Sequence, residues 1–187
     1  MNSKALNEVR LSIDNLVNKA IEEQESNSFR DKLFFSSKSN EWETPIGFWN
    51  RLDAKFHFTL DAASTIENAK CDKFYTFHDN SLGKDWSGNI VFLNPPYGRD
   101  LKKWVEKAYK EGLKENTVVV LLIPARTDTR YFHDYCMKAK EIYLVKGRLK
   151  FKNVFEDIEN TPAPFPSMVV VFDGEHDSPS FSTMSNV

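Results

Sequence analysis

Val118-Val119-Val120-Leu121-Leu122-Ile123 is an unbroken apolar run closed by Pro124. A strand with one wet face alternates apolar and polar residues, and this one does not. It therefore belongs in a sheet covered on both faces, which is the setting of parallel strands with helices above and below. A second run, Ile90-Val91-Phe92-Leu93, stops at Asn94-Pro95-Pro96-Tyr97. Proline fixes φ and has no N–H to give a ladder, so the sheet cannot continue through that corner.

The rest of the chain alternates around these strands. Pro45, Phe48, Trp49 and Leu52 open a helix that Thr44 is placed to cap. Phe56 to Leu60 alternates with period two and predicts a strand carrying Asp61 at its tip, with His57 on its solvent side. Asp100 to about Glu115 reads as a helix with Asp100 as its cap, and Thr129 to Lys140 as a shorter one. Ile142–Val145, Arg148–Phe151 and Met168–Phe172 supply further strands. The pattern is an α/β sheet with helices on both faces, mainly parallel early and antiparallel late. In open sheets of this kind ligands bind beyond the carboxyl ends of the strands, where Asp61, Asn94 and Pro124-Ala125-Arg126 all fall.

Leu6, Val9, Ile13, Leu16, Val17, Ala20 and Ile21 recur at helical spacing, so residues 1–25 are expected to form an amphipathic helix. A polar linker follows over 26–40, then a single domain over 41–174 and a mobile tail over 175–187. No apolar stretch is long enough for a membrane span, and no apolar signal core follows Met1, which points to the cytoplasm. Cys71 and Cys136 lack metal-ligand spacing and read as reduced thiols, and the four histidines show no pattern that implies a metal.

The chain is slightly acidic, with a formal net charge of -2. Between Arg126 and Lys152, however, eight basic residues face only Asp128, Asp134 and Glu141. Such a face can bind phosphate, although solvated surface lysines explain the same run. The proline corner carries more information. It holds one amide side chain, one carbonyl without a ladder partner and one aromatic ring together. That set can take hydrogen bonds from a planar amino group while the ring stacks beside it, and a nucleobase amine is such a target. A Pro-Pro turn with Tyr97 as packing is the plainer alternative.

Six motifs occur in order: Trp42-Glu43-Thr44-Pro45, Leu60-Asp61-Ala62-Ala63, Asp85-Trp86-Ser87-Gly88, Asn94-Pro95-Pro96-Tyr97, Pro124-Ala125-Arg126-Thr127-Asp128-Thr129 and Gly147-Arg148-Leu149. Together, over Asn40 to Gly174, they resemble the small phage-type DNA N-6-adenine methyltransferases (the phage Dam-like family). The resemblance implies a Rossmann-like, S-adenosylmethionine-dependent methyltransferase fold with a mostly parallel sheet, a phage or prophage origin, and DNA as substrate. It makes Asn94, Pro95, Pro96 and Tyr97 the catalytic motif. Asp61, Ala62 and Ala63 become the first-strand cofactor motif, Trp42, Thr44 and Pro45 an element against the cofactor, and Asp79 or Asn80 a contact to its adenosine. Ala62-Ala63-Ser64 stands where a glycine-rich turn is usual. Arg126, Arg130 and Arg148 are candidate DNA contacts.

The same corner would serve cytosine N4 or a protein glutamine amide. A nucleic-acid-binding module that has lost its cofactor is a reading of another class. Methylation at cytosine carbon needs a cysteine nucleophile in a Pro-Cys setting, which neither Cys71 nor Cys136 has. Asp61 and Ile90 lie too close in sequence for an inserted recognition domain. Specificity is therefore expected to be short or relaxed, read by the segment from Gly147 to Pro166.

Overall fold

The computed structural model describes residues 42–153 and 162–186, together with Lys19. The helix and linker expected over 1–40 lie outside the described residues, Lys19 apart. The chain divides into two compact units, Met1–Asn40 and Glu41–Val187, and the sheet belongs to the second.

Strands β2 (Leu60–Asp61), β3 (Ile90–Leu93), β4 (Val118–Pro124), β5 (Glu141–Lys146), β7 (Ser167–Phe172) and β8 (Ser180–Ser185) form one six-stranded sheet in the order β2-β3-β4-β7-β5-β8. A short ribbon pairs β1 (Trp42–Glu43) with β6 (Lys152–Asn153). Helices α1 (Ile46–Phe56), α2 (Leu101–Gly112) and α3 (Arg130–Asp134) complete the elements, and no helix among the described residues is long and apolar enough to cross a membrane.

The sheet is mixed rather than mostly parallel. β2, β3 and β4 run parallel, β7 runs against both β4 and β5, and β8 is parallel to β5. The reason is connectivity. β7 opens with Ser167 opposite Pro124, at the rim where β4 and β5 end, so it runs back against both.

Register places Phe92, Val120, Val171 and Tyr143 on one face, and Val119, Phe172, Val170 and Ile142 on the other. α1 covers the first face, with Lys55 over the Tyr143 ring and with Trp49 and Phe56 against Phe58, which itself meets Phe92. α2 covers the second, through Tyr109 against Phe172. β7 is buried throughout and β4 from Val119 on, as the unbroken apolar runs require. Each such Val, Leu or Ile contributes about 1.5–3 kcal/mol of burial. Gly112 lets α2 approach closely, because a Cβ there would meet the Phe172 Cβ at 2.4 Å.

Several local expectations are corrected. Phe56 ends α1 instead of opening a strand. His57 takes the left-handed cap (φ 59°) and β2 shrinks to Leu60–Asp61, because Asp53 accepts both the His57 and Phe58 N–H groups. The Arg148–Phe151 strand reduces to a bridge between Lys150 and Pro162. The helix expected to reach Lys140 stops at Asp134 and continues as a 3₁₀ turn over Cys136–Lys138. Within the expected tail, Ser180–Ser185 is instead the edge strand, held by backbone pairing to β5, which polar side chains do not prevent.

Candidate active site

Asn94 leaves β3 at the rim formed by the carboxyl ends of β2, β3, β4 and β5. It is partly buried, Pro95 is buried and Pro96 is exposed. The Asn94 amide donates through Nδ2 to Thr44 Oγ1 at 3.0 Å, and its Oδ1 accepts the Tyr97 hydroxyl at 2.6 Å. Tyr97 also lies 3.4 Å from the Leu122 carbonyl of the neighbouring strand.

The Tyr97 ring does not offer an open stacking face. Only 7% of it is exposed, and it meets Phe165 and Phe151 edge-on at centroid distances of 5.4 and 6.3 Å. Burial pushes its phenol well above the ordinary tyrosine value, so it stays a neutral hydroxyl. Thr44, expected to cap α1, does not. Pro45 occupies the cap position at φ −55° and ψ 131° without a side-chain cap bond, and the buried Thr44 hydroxyl is turned to Asn94.

At the end of β2, Asp61 is 2% exposed. Its Oδ1 accepts the Ala63 N–H at 3.3 Å and its Oδ2 the Lys70 N–H at 3.1 Å, so it closes the turn that follows. Burial pushes its carboxyl up to about 6, against the opposing pull of those two N–H groups and the Lys70 charge. No left-handed residue occurs between Ala62 and Ser64, so this turn has no need of glycine. Lys70 ties the turn to β1 through a 2.8 Å ion pair with Glu43. Sequence reasoning had Glu43 in the Trp42–Pro45 motif but did not single out Lys70 or their pairing, since a lysine and a glutamate so far apart carry no local signal.

Asp79 is committed to a capping box. Its Oδ2 accepts the Thr76 N–H and hydroxyl at 2.7 Å each, and these bonds hold its carboxyl below the ordinary range. Asn80 sits beside it in the left-handed region. Arg126 and Arg130 are exposed after β4, and Arg148 is exposed after β5, all beyond the strand ends that carry Asn94. Trp42 pairs with Asn153 in the β1–β6 ribbon. The structure therefore gathers Thr44, Asn94 and Tyr97 into one bonded unit. Burial pushes both Cys71 and Cys136 up to about 12, so neither supplies a thiolate nucleophile at neutral pH.

Residues 34–187 match the family profile described as DNA N-6-adenine-methyltransferase (Dam). The chain is 32% identical over 141 residues to the DNA N-6-adenine-methyltransferase of Haemophilus phage HP1 (strain HP1c1), a match covering 73% of this chain and 80% of that protein. It is 33% identical over 137 residues to the DNA N-6-adenine-methyltransferase of Escherichia phage T1, covering 72% of this chain and 54% of that protein.

Proposed function

The chain belongs to the DNA N-6-adenine-methyltransferase (Dam) family, and from that premise we propose that it methylates the exocyclic N6 of adenine in DNA, with S-adenosylmethionine as donor and a short or relaxed recognition site. The observation that carries this reading is the rim position of Asn94-Pro95, with the amide held between Thr44 and Tyr97. The Rossmann-like fold of such enzymes agrees with a sheet covered on both faces whose β2, β3 and β4 run parallel into that rim.

Adenine N6 is a poor nucleophile because its lone pair is delocalised into the ring. In this reading Asn94 Oδ1 and the Pro95 carbonyl would accept the two amine hydrogens, which would orient the nitrogen and favour positive charge developing on it. The two prolines stiffen the backbone that presents both acceptors. A base that stacks on Tyr97 must replace the edge of Phe165. That stacking, worth about 1–3 kcal/mol, helps to offset unpairing.

The turn after β2 fits the cofactor. Ala62 and Ala63 are small, and the Ser64 hydroxyl is shielded from water without a hydrogen-bond partner among the described residues, as suits a polar ligand placed there. Trp42, Thr44, Pro45, Asp61, Ala62, Ala63 and Ser64 would hold it, with Asp79 and Asn80 toward its adenosine. When bound, it supplies an electrophilic methyl group on a sulfonium. Arg126, Arg130 and Arg148 would meet DNA phosphates from the same rim.

Expression in a methyltransferase-free host, followed by methylation-aware sequencing, tests the reading. N6-methyladenine at short sites is the expected result, and Asn94→Ala is expected to remove it without unfolding the protein. Methylation confined to cytosine, one long recognition site, or near-normal transfer by Asn94→Ala would each defeat the corresponding part.

A further inference from the structure

We infer that the Ser167 hydroxyl reads the target base, donating a hydrogen bond to one of its ring nitrogens. The inference rests on the reading above, which places the adenine amine at the Asn94-Pro95 corner.

Ser167 opens β7 and is 2% exposed, and its Oγ is shielded from water without a hydrogen-bond partner among the described residues. Such a hydroxyl burdens the fold, and a residue one atom smaller would not carry that burden. Its neighbours offer it nothing. Pro124 lies opposite on β4, and Val169 and Val171 follow on its own face.

Register fixes which way it points. Val120 pairs with Val171, Leu122 with Val169 and Pro124 with Ser167, so Ser167 shares the face that α1 covers. Asn94 bonds to Thr44, which leads into α1.

The order of strands supplies the rest. β2, whose following turn is given to the cofactor, lies on one side of β3, while β4 and then β7 lie on the other. An amine nitrogen attacking a methyl group keeps its own ring on the side away from the donor. With the donor at β2 and the amine at the end of β3, the ring extends over β4 toward β7. Two strand spacings of about 4.8 Å separate β3 from β7, a distance that a purine with a hydrogen bond at each end covers. Phe165, whose edge meets Tyr97, stands two residues before Ser167, so the space of a base stacked on Tyr97 borders this hydroxyl. Adenine N1, N3 and N7 only accept, so the hydroxyl donates. The unpartnered Ser64 hydroxyl, after β2, lies on the cofactor's side of Asn94 instead.

The test compares wild type with Ser167→Ala and Ser167→Cys on an oligonucleotide duplex carrying one site found by methylation-aware sequencing. The target base is adenine or its 1-deaza, 3-deaza or 7-deaza analogue. The readouts are kcat/KM, S-adenosylmethionine Kd by calorimetry and the thermal midpoint. On adenine, Ser167→Ala is expected to lower kcat/KM about tenfold or more, with cofactor Kd within about twofold. Its midpoint should not fall below that of wild type, since the fold loses only an unpaired hydroxyl. The loss in kcat/KM should vanish on the one analogue that lacks the contacted nitrogen and persist on the other two. Ser167→Cys nearly keeps the volume with a weak donor, and carries the test if Ser167→Ala does not fold. Unchanged kcat/KM in both variants overturns the inference. So does an equal loss on adenine and all three analogues, or a loss explained by weakened cofactor binding. If wild type places no methyl on adenine, the proposed function falls and takes this inference with it. An active wild type beside fully active variants sinks the inference alone.

Discussion

Lys70 reaches back to Glu43 through a 2.8 Å ion pair while its own backbone N–H closes the turn on Asp61. One residue therefore ties β1 to the loop leaving β2. Glu43 precedes Thr44, which holds Asn94, so the turn and the proline corner are braced through a single dipeptide.

Asp61 gives the chain a distinct pH response. Its folded-state carboxyl titrates near 6, above the ordinary value of 3.8, because burial disfavours the charge. A raised folded-state value means that the group's contribution to stability is fully present below about 4 and is lost as pH rises through about 6. Measured against Asp61→Asn by urea denaturation, the wild type should lose on the order of 2–3 kcal/mol of relative stability between pH 4 and pH 7. A stability difference that does not change with pH would contradict this.

Glu111 responds in the opposite direction. Burial alone would raise its carboxyl, but bonds from Lys107 at 2.5 Å, Lys114 at 2.8 Å and the Trp86 N–H at 2.8 Å hold it below the ordinary 4.5. Its contribution is present above that value and lost as pH falls through the lower folded-state one. Glu111→Ala takes the acceptor from the buried Trp86 N–H and leaves Lys107 only the Lys84 carbonyl, and should cost roughly 3 kcal/mol at pH 7. That cost should shrink toward pH 3 in thermal melts, and a cost that grew on acidification would refute the assignment.

Arg126 and Arg130 are exposed on the rim, and their contribution to DNA binding should be electrostatic. The Arg126→Ala/Arg130→Ala double variant should weaken duplex binding and flatten the plot of log affinity against log salt by about 2, roughly one unit for each phosphate no longer neutralised. Fluorescence anisotropy at several salt concentrations reads the slope. An unchanged slope would place these arginines away from DNA.

The order of elements and the proline corner were legible in the chain because both are local. An unbroken apolar run such as Val119–Ile123 must be buried on both faces, and two prolines after Asn94 must end a strand. Only the tertiary structure decided the rest. It turned the Thr44 hydroxyl from helix cap to Asn94 partner, closed Tyr97 behind Phe151 and Phe165, and drew the polar Ser180–Ser185 segment into the sheet beside β5. Those outcomes depend on which groups meet across long stretches of chain, and local periodicity carries no record of such distant partners.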